Sequence, residues 1–185
     1  MEYYQKDFEL GWLWGSFHNE QVRLLPLIDK TESNESNRTY VRSFFSMIEG
    51  ITYRTRQILI ERHKEKKIDL TPEQIIVLSE IAIDLKDNGS IKKRQKFYDF
   101  RRMTLFTYKT YCDLYNKTDN YKRFLSDTRF KDFNESVNMR NRITHPKTVI
   151  DVYINGNDIL TVMSAGEWFH SFTIEIFKGD LIFEE

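Results

Sequence analysis

Cysteine is almost missing from this chain of 185 residues: Cys112 is the only one, so no disulfide can form within it. A reducing compartment is the simplest expectation. Proline is scarce, with three residues, and the seven glycines are scattered. None of them makes a GxGxxG or GxxxxGK phosphate loop. No run approaches the ~20 apolar residues that would span a bilayer, and the opening Met1-Glu2-Tyr3-Tyr4 lacks the basic-then-apolar layout of a signal peptide. No membrane association and a cytoplasmic location are therefore expected. Net charge is absent too, with 28 basic and 28 acidic residues. Only a local basic patch can favour nucleic acid. The four histidines fall in no His-x-x-x-His or His-Glu-x-x-His arrangement, and one cysteine founds no zinc site. No metal and no cofactor are expected.

Aromatic residues are plentiful, with 14 phenylalanines and 10 tyrosines, and the hydrophobic share of 40% suits a globular chain with an aromatic core. One domain over residues 1–185 is the natural reading. Residues 8–21 carry Leu10, Leu13, Trp14 and Phe17 at helical spacing, and Pro26 argues against helix through Leu24–Ile28. A polar loop is expected over Asp29–Asn37. From Arg38 to Lys66 the apolar residues Val41, Phe44, Phe45, Ile48, Ile51, Ile58 and Leu59 keep three-and-four spacing, which predicts one long helix. Thr71-Pro72-Glu73-Gln74 reads as a helix start, and that helix is expected to run to Leu85. Asp87-Asn88-Gly89-Ser90 is a turn. Further helices are expected over 97–115 and 126–144, with a loop at 116–120 between them. An extended stretch over Thr148–Asn155 and a last helix of about twenty residues, capped near Gly156-Asn157-Asp158, complete the reading. The fold class is all-α, an up-and-down helical bundle of five or six helices.

Chemistry concentrates in Met139-Arg140-Asn141-Arg142-Ile143-Thr144-His145-Pro146-Lys147. At about 100° per residue, Phe130, Phe133 and Val137 fall on one side of a helix, and Met139 and Ile143 on the adjoining side. Arg140 projects into this apolar face. Asn141, Thr144 and His145 follow one edge, with Asn141 and His145 one turn apart. Pro146 stops the helix, because the residue before proline is pushed out of the α region. A guanidinium in an apolar setting needs an anionic partner. Two readings stay open: a salt bridge to a carboxylate, for which Glu49 at the edge of the long helix's stripe is the candidate, or a grip on a phosphate, which the planar fork suits. A neighbouring histidine moves protons near neutral pH. Thr144 is a supporting candidate, and Arg142 and Lys147 are candidates for contacts with an RNA backbone.

The set Arg140-Asn141-x-x-x-His145 resembles the R-x4-6-H signature of the HEPN superfamily of small helical bundles. Many of these are metal-independent ribonucleases of toxin–antitoxin and antiviral defence systems. The resemblance implies that Arg140 holds the scissile phosphate, His145 serves as general acid or base, and Asn141 orients substrate or imidazole. It also implies a homodimer whose two motif helices share a cleft, an RNA substrate, and a cognate antitoxin or defence-system partner. Where some of these toxins resemble R-x4-H-x-Y, His145 is followed here by Pro146-Lys147. Control at a motif tyrosine is therefore not expected. The alternative is a non-catalytic bundle of the same kind that binds RNA or protein.

Overall fold

The computed structural model describes residues 2–28 and 35–178, with side chains from Leu10 onward. Among them are seven α-helices, two short 3-10 turns and one two-stranded sheet. The chain divides into two compact units, Met1–Ile51 with Asp119–Glu185, and Thr52–Thr118.

The first unit contains α1 (Glu2–Leu24), which ends in a 3-10 turn at Leu25–Leu27 around Pro26. It also contains the leading part of α2 (Glu35–Lys64), a helix of 30 residues and so about 45 Å long. The apolar stripe expected for α2 is buried: Val41, Phe44, Phe45, Ile48 and Ile51 are all within 2% of full burial. The polar loop expected over Asp29–Asn37 lies partly outside the described residues, and Glu35–Asn37 already belong to α2. Later in the chain come α5 (Thr118–Ser126), α6 (Arg129–Thr144) and α7 (Gly156–Phe177). Trp168 of α7 anchors this part of the core. It stacks on Phe124 at 3.6 Å between ring centroids and lies 4.8 Å from Phe133. Its indole N–H donates to the Phe124 carbonyl at 3.0 Å. A buried tryptophan is thereby left with no unmet donor.

The second unit holds the rest of α2, α3 (Pro72–Leu78), the antiparallel pair β1 (Ile81–Leu85) and β2 (Ile91–Gln95), and α4 (Phe100–Leu114). Its core includes Leu59, Leu78, Tyr108, Tyr111 and Cys112. Burial pushes the Cys112 thiol up to about 12, so it is a packing residue and not a thiolate nucleophile. At the start of α3 Thr71 Oγ1 accepts from Gln74 N–H at 3.2 Å, and Gln74 Oε1 accepts from Thr71 N–H at 2.9 Å. This reciprocal cap is what Thr-Pro-Glu-Gln predicts.

Four local expectations are corrected. The α3 helix does not reach Leu85. It stops at Leu78, Glu80 turns to a positive φ of 52°, and Ile81–Leu85 pair with Ile91–Gln95 as a hairpin. The turn at Asp87–Ser90 is where it was expected, with Gly89 at φ 77°, a conformation glycine adopts without a Cβ penalty. Helix also occupies much of the expected 116–120 loop. Asn116, at φ 58°, and Lys117 are all of it that stays outside helix, and α5 starts at Thr118. The motif helix starts later than expected, at Arg129, because Asp127 accepts from the Arg129 backbone N–H at 2.9 Å and breaks the chain into two helices. The stretch Thr148–Asn155 is not a strand, since Val149–Val152 form a 3-10 turn. Asp151 Oδ2 accepts from the backbone N–H groups of Lys147 and Thr148 at 2.8 and 2.7 Å, and these local bonds outcompete extended structure. The same bonds hold the Asp151 carboxyl below the usual carboxylate range.

Candidate functional site

The last turns of α6 carry the candidate residues. Phe133, Val137 and Ile143 are buried and fix the helix against the first unit's core, while Met139 is half-buried. Arg140 leaves this face at its edge, with its side chain 25% exposed, and meets the carboxylate expected for it. Its Nη2 lies 2.5 Å from Glu49 Oε1 of α2. Its Nη1 donates to Asn141 Oδ1 at 3.1 Å. The guanidinium plane is thus held from two directions at a surface.

Glu49 is itself 46% exposed. An ion pair this wet contributes only about 0–1 kcal/mol, because water and salt screen it and two long side chains lose freedom. An arriving phosphate can therefore compete with the carboxylate for the same fork, offering a bidentate geometry of its own. The contact neither commits Arg140 to structure nor frees it for substrate. It does set the direction in which the guanidinium faces.

His145 caps α6, where Pro146 ends the helix as expected. Its backbone N–H donates to the Asn141 carbonyl at 3.1 Å, which places the two residues one turn apart, and its side chain is exposed. Thr144 turns its hydroxyl back onto the Arg140 carbonyl at 2.7 Å. That bond braces the turn carrying Arg140. Arg142 faces the other way. Its Nη2 donates to the Tyr153 carbonyl at 3.0 Å and lies 3.5 Å from Asp158 Oδ2, so it fastens the end of α6 to the start of α7. Lys147 is exposed. Arg140 thus contacts both Asn141 and Glu49, Thr144 bonds back to it from one turn on, His145 caps the helix beyond, and Arg142 is engaged elsewhere.

A concave feature elsewhere in the first unit has no counterpart in the sequence patterns. His18 and His170, far apart in the chain, have ring centroids 5.5 Å apart. Trp14 stacks on His18 at 5.2 Å and meets His170 at 4.5 Å. These rings flank a half-open cavity of about 200 Å3 together with Gln21, Tyr40 and Glu167. Burial, and then the nearby His18, lower the His170 pKa below its ordinary value. Burial, and then the Glu167 carboxylate, push the Tyr40 hydroxyl up to about 12. No fixed spacing links α1 to α7, so only the fold reveals this cluster.

No helix among the described residues is long and apolar enough to cross a membrane. Comparison with protein-family models, with curated proteins and with solved structures gives no match.

Proposed function

We propose that this chain is a metal-independent endoribonuclease of the HEPN kind, working as a homodimer in a toxin–antitoxin or antiviral defence setting. One observation carries the reading. Arg140 is held by Glu49 and Asn141 at a partly exposed position, five residues before the exposed His145 that caps the same helix. A cation fixed in direction and a proton-transfer group at the end of the same helix are the two parts that phosphodiester transfer asks of a protein.

In this mechanism Arg140 binds the non-bridging oxygens of the scissile phosphate and stabilises the charge that grows on them. His145 accepts the proton of the 2′-hydroxyl as the 2′-oxygen bonds to phosphorus. The bond from phosphorus to the 5′-oxygen breaks, and that oxygen takes up a proton. The products are a 2′,3′-cyclic phosphate and a 5′-hydroxyl. Asn141 keeps the guanidinium in plane, and Glu49, which sets its direction in the free protein, gives way to the incoming phosphate. One arginine and one histidine make a thin site for in-line displacement, which is helped by an acid and a base on opposite sides of phosphorus. A two-fold axis beside α6 supplies the second pair.

The test is RNA cleavage in excess EDTA with analysis of the ends. A 2′,3′-cyclic phosphate is expected, and a substrate with a 2′-deoxy sugar at the cleaved position should resist. His145→Ala should abolish cleavage and leave unfolding within ~0.5 kcal/mol, the usual range for surface positions. Cutting of the deoxy substrate, or a strict need for Mg2+, refutes the mechanism.

A second reading is favoured by the Glu49 contact itself: Arg140 only ties α6 to α2, and the chain is a non-catalytic interaction module. Under that reading Glu49 and Arg140 variants lose stability together, and no variant changes RNA.

A further inference from the structure

We propose that the β1–β2 hairpin, with the segment leading into α4, is a separate binding surface for single-stranded RNA. It rests on the reading of RNA as substrate, yet lies in the second unit and uses none of the residues assigned to cleavage.

Charge is the first observation. The whole chain is neutral, but residues 81–102 hold seven basic residues against the three acidic ones Asp84, Asp87 and Asp99. Every residue of β2, Ile91-Lys92-Lys93-Arg94-Gln95, is exposed, as are Lys96 and Phe97. The register sorts the strand residues onto two faces. Ala82 opposite Arg94 and Asp84 opposite Lys92 make one face, on which Arg94 Nε lies 2.6 Å from Asp84 Oδ2. Ile83 opposite Lys93 and Leu85 opposite Ile91 make the other.

Apolar exposure is the second observation. Leu85 is 76% exposed, Ile91 68% and Phe97 78%. Lys93, on the face of Leu85 and Ile91, and the exposed Phe97 ring match an unpaired strand, whose phosphates face cations while its bases stack on aromatic rings. Lys96 Nζ already lies 4.8 Å over the Tyr98 ring, so cation and aromatic share the segment after β2.

Rigidity is the third. A two-stranded hairpin alone is marginal, but this one is tied down at both ends. At the tip Lys86 N–H donates to the Ser90 carbonyl at 2.9 Å, and Asn88 Oδ1 accepts from the Ser90 N–H at 3.1 Å. At the base Lys96 N–H donates to the Glu80 carbonyl at 2.8 Å.

Binding is measured by fluorescence anisotropy of a labelled 2′-O-methyl oligouridylate, which the proposed chemistry cannot cut, so the wild-type chain serves. Each phosphate contact to a single strand adds about 0.7 to the slope of log affinity against log salt. Replacing Lys93, the lysine on the face of Leu85 and Ile91, by glutamine should lower that slope by about 0.7, and the same change at Lys92, on the opposite face, should leave it unaltered. Phe97→Ala should weaken binding about fivefold or more, as expected for loss of one stacked base. Phe97→Tyr should bind as wild type, and Phe97→Leu should not, which separates stacking from mere apolar bulk. Circular dichroism on each variant checks that the fold is kept. Unchanged affinity and slope in both the Lys93→Gln and the Phe97→Ala variants overturns the proposal. So does equal binding of oligoglutamate with Phe97→Ala silent, which would assign the surface to an acidic polypeptide. Cleavage of unmodified RNA, followed on the same variants, keeps the two claims apart. Hairpin-dependent binding without any cleavage leaves the surface standing and removes the nuclease. Cleavage with unchanged KM in the hairpin variants does the reverse.

Discussion

A double-mutant cycle on Glu49 and Arg140 separates a poised site from a structural brace. The perturbations are Glu49→Gln, which keeps an acceptor and removes the charge, and Arg140→Met, which keeps the aliphatic bulk. At 2.5 Å two unit charges in a water-like medium attract by about 1.7 kcal/mol. With the glutamate 46% exposed and the arginine 25% exposed, solvent screening and the entropy of holding two long side chains remove much of that. The expected coupling is ~0.5–1 kcal/mol. For a chain of this length that corresponds to about 1–4 °C in Tm. Urea unfolding of the wild type, both single variants and the double variant measures it. The cycle isolates the pair even though Arg140 also bonds Asn141. Repeating it near 1 M salt, where the Debye length is ~3 Å, should reduce the coupling further. A coupling of ~3 kcal/mol or more that salt leaves untouched would mark a desolvated structural pair. It would refute the argument that a phosphate can displace Glu49.

Mixing Arg140→Ala with His145→Ala chains should restore part of the cleavage, because the arginine of one protomer then serves the histidine of the other; a monomer active far below any association constant would refute the shared cleft. Folding lowers the His170 pKa, so the unfolded chain binds more protons and stability should fall as pH drops below about 6.5, levelling off beneath the folded pKa. His170→Asn should flatten that part of the stability–pH curve, and an unchanged slope would discount the histidine. Trp168→Ala should cost ~3–5 kcal/mol, since Trp168 is 1% exposed, stacks on Phe124 and bonds its carbonyl; a loss under 1 kcal/mol in denaturant unfolding would show that this core does not depend on it.

The parts of the fold that were legible in the sequence are those fixed by nearby residues. The α2 stripe repeats at one spacing over many turns, and the Thr71–Gln74 cap and the Gly89 turn are each settled within four residues. Strand β1 was not legible. Ile81-Ala82-Ile83-Asp84-Leu85 is a short apolar run that suits either period, and pairing with a strand beyond the turn decides it. Val149–Val152 misled for the opposite reason, as β-branched residues suggest a strand while Asp151 bonds locally. At the site, the Arg140–Glu49 contact was foreseeable because each residue sits where a charge interrupts or borders an apolar stripe. The engagement of Arg142 with Tyr153 and Asp158 was not, because it depends on how the chain returns after Pro146. The meeting of His18 with His170 depends likewise on the packing of α1 and α7.

The burial of Cys112 gives the protein a built-in clock. The thiol is fully buried in α4 and its pKa is pushed up to about 12, so a thiol-reactive dye meets almost no thiolate in the native state. Labelling must wait for the surrounding helices to part. When reclosing is faster than reaction, the labelling rate divided by that of an unstructured cysteine equals the equilibrium constant for opening. The wild-type chain therefore reports the local opening free energy of its second unit, with no probe to introduce and no second cysteine to remove.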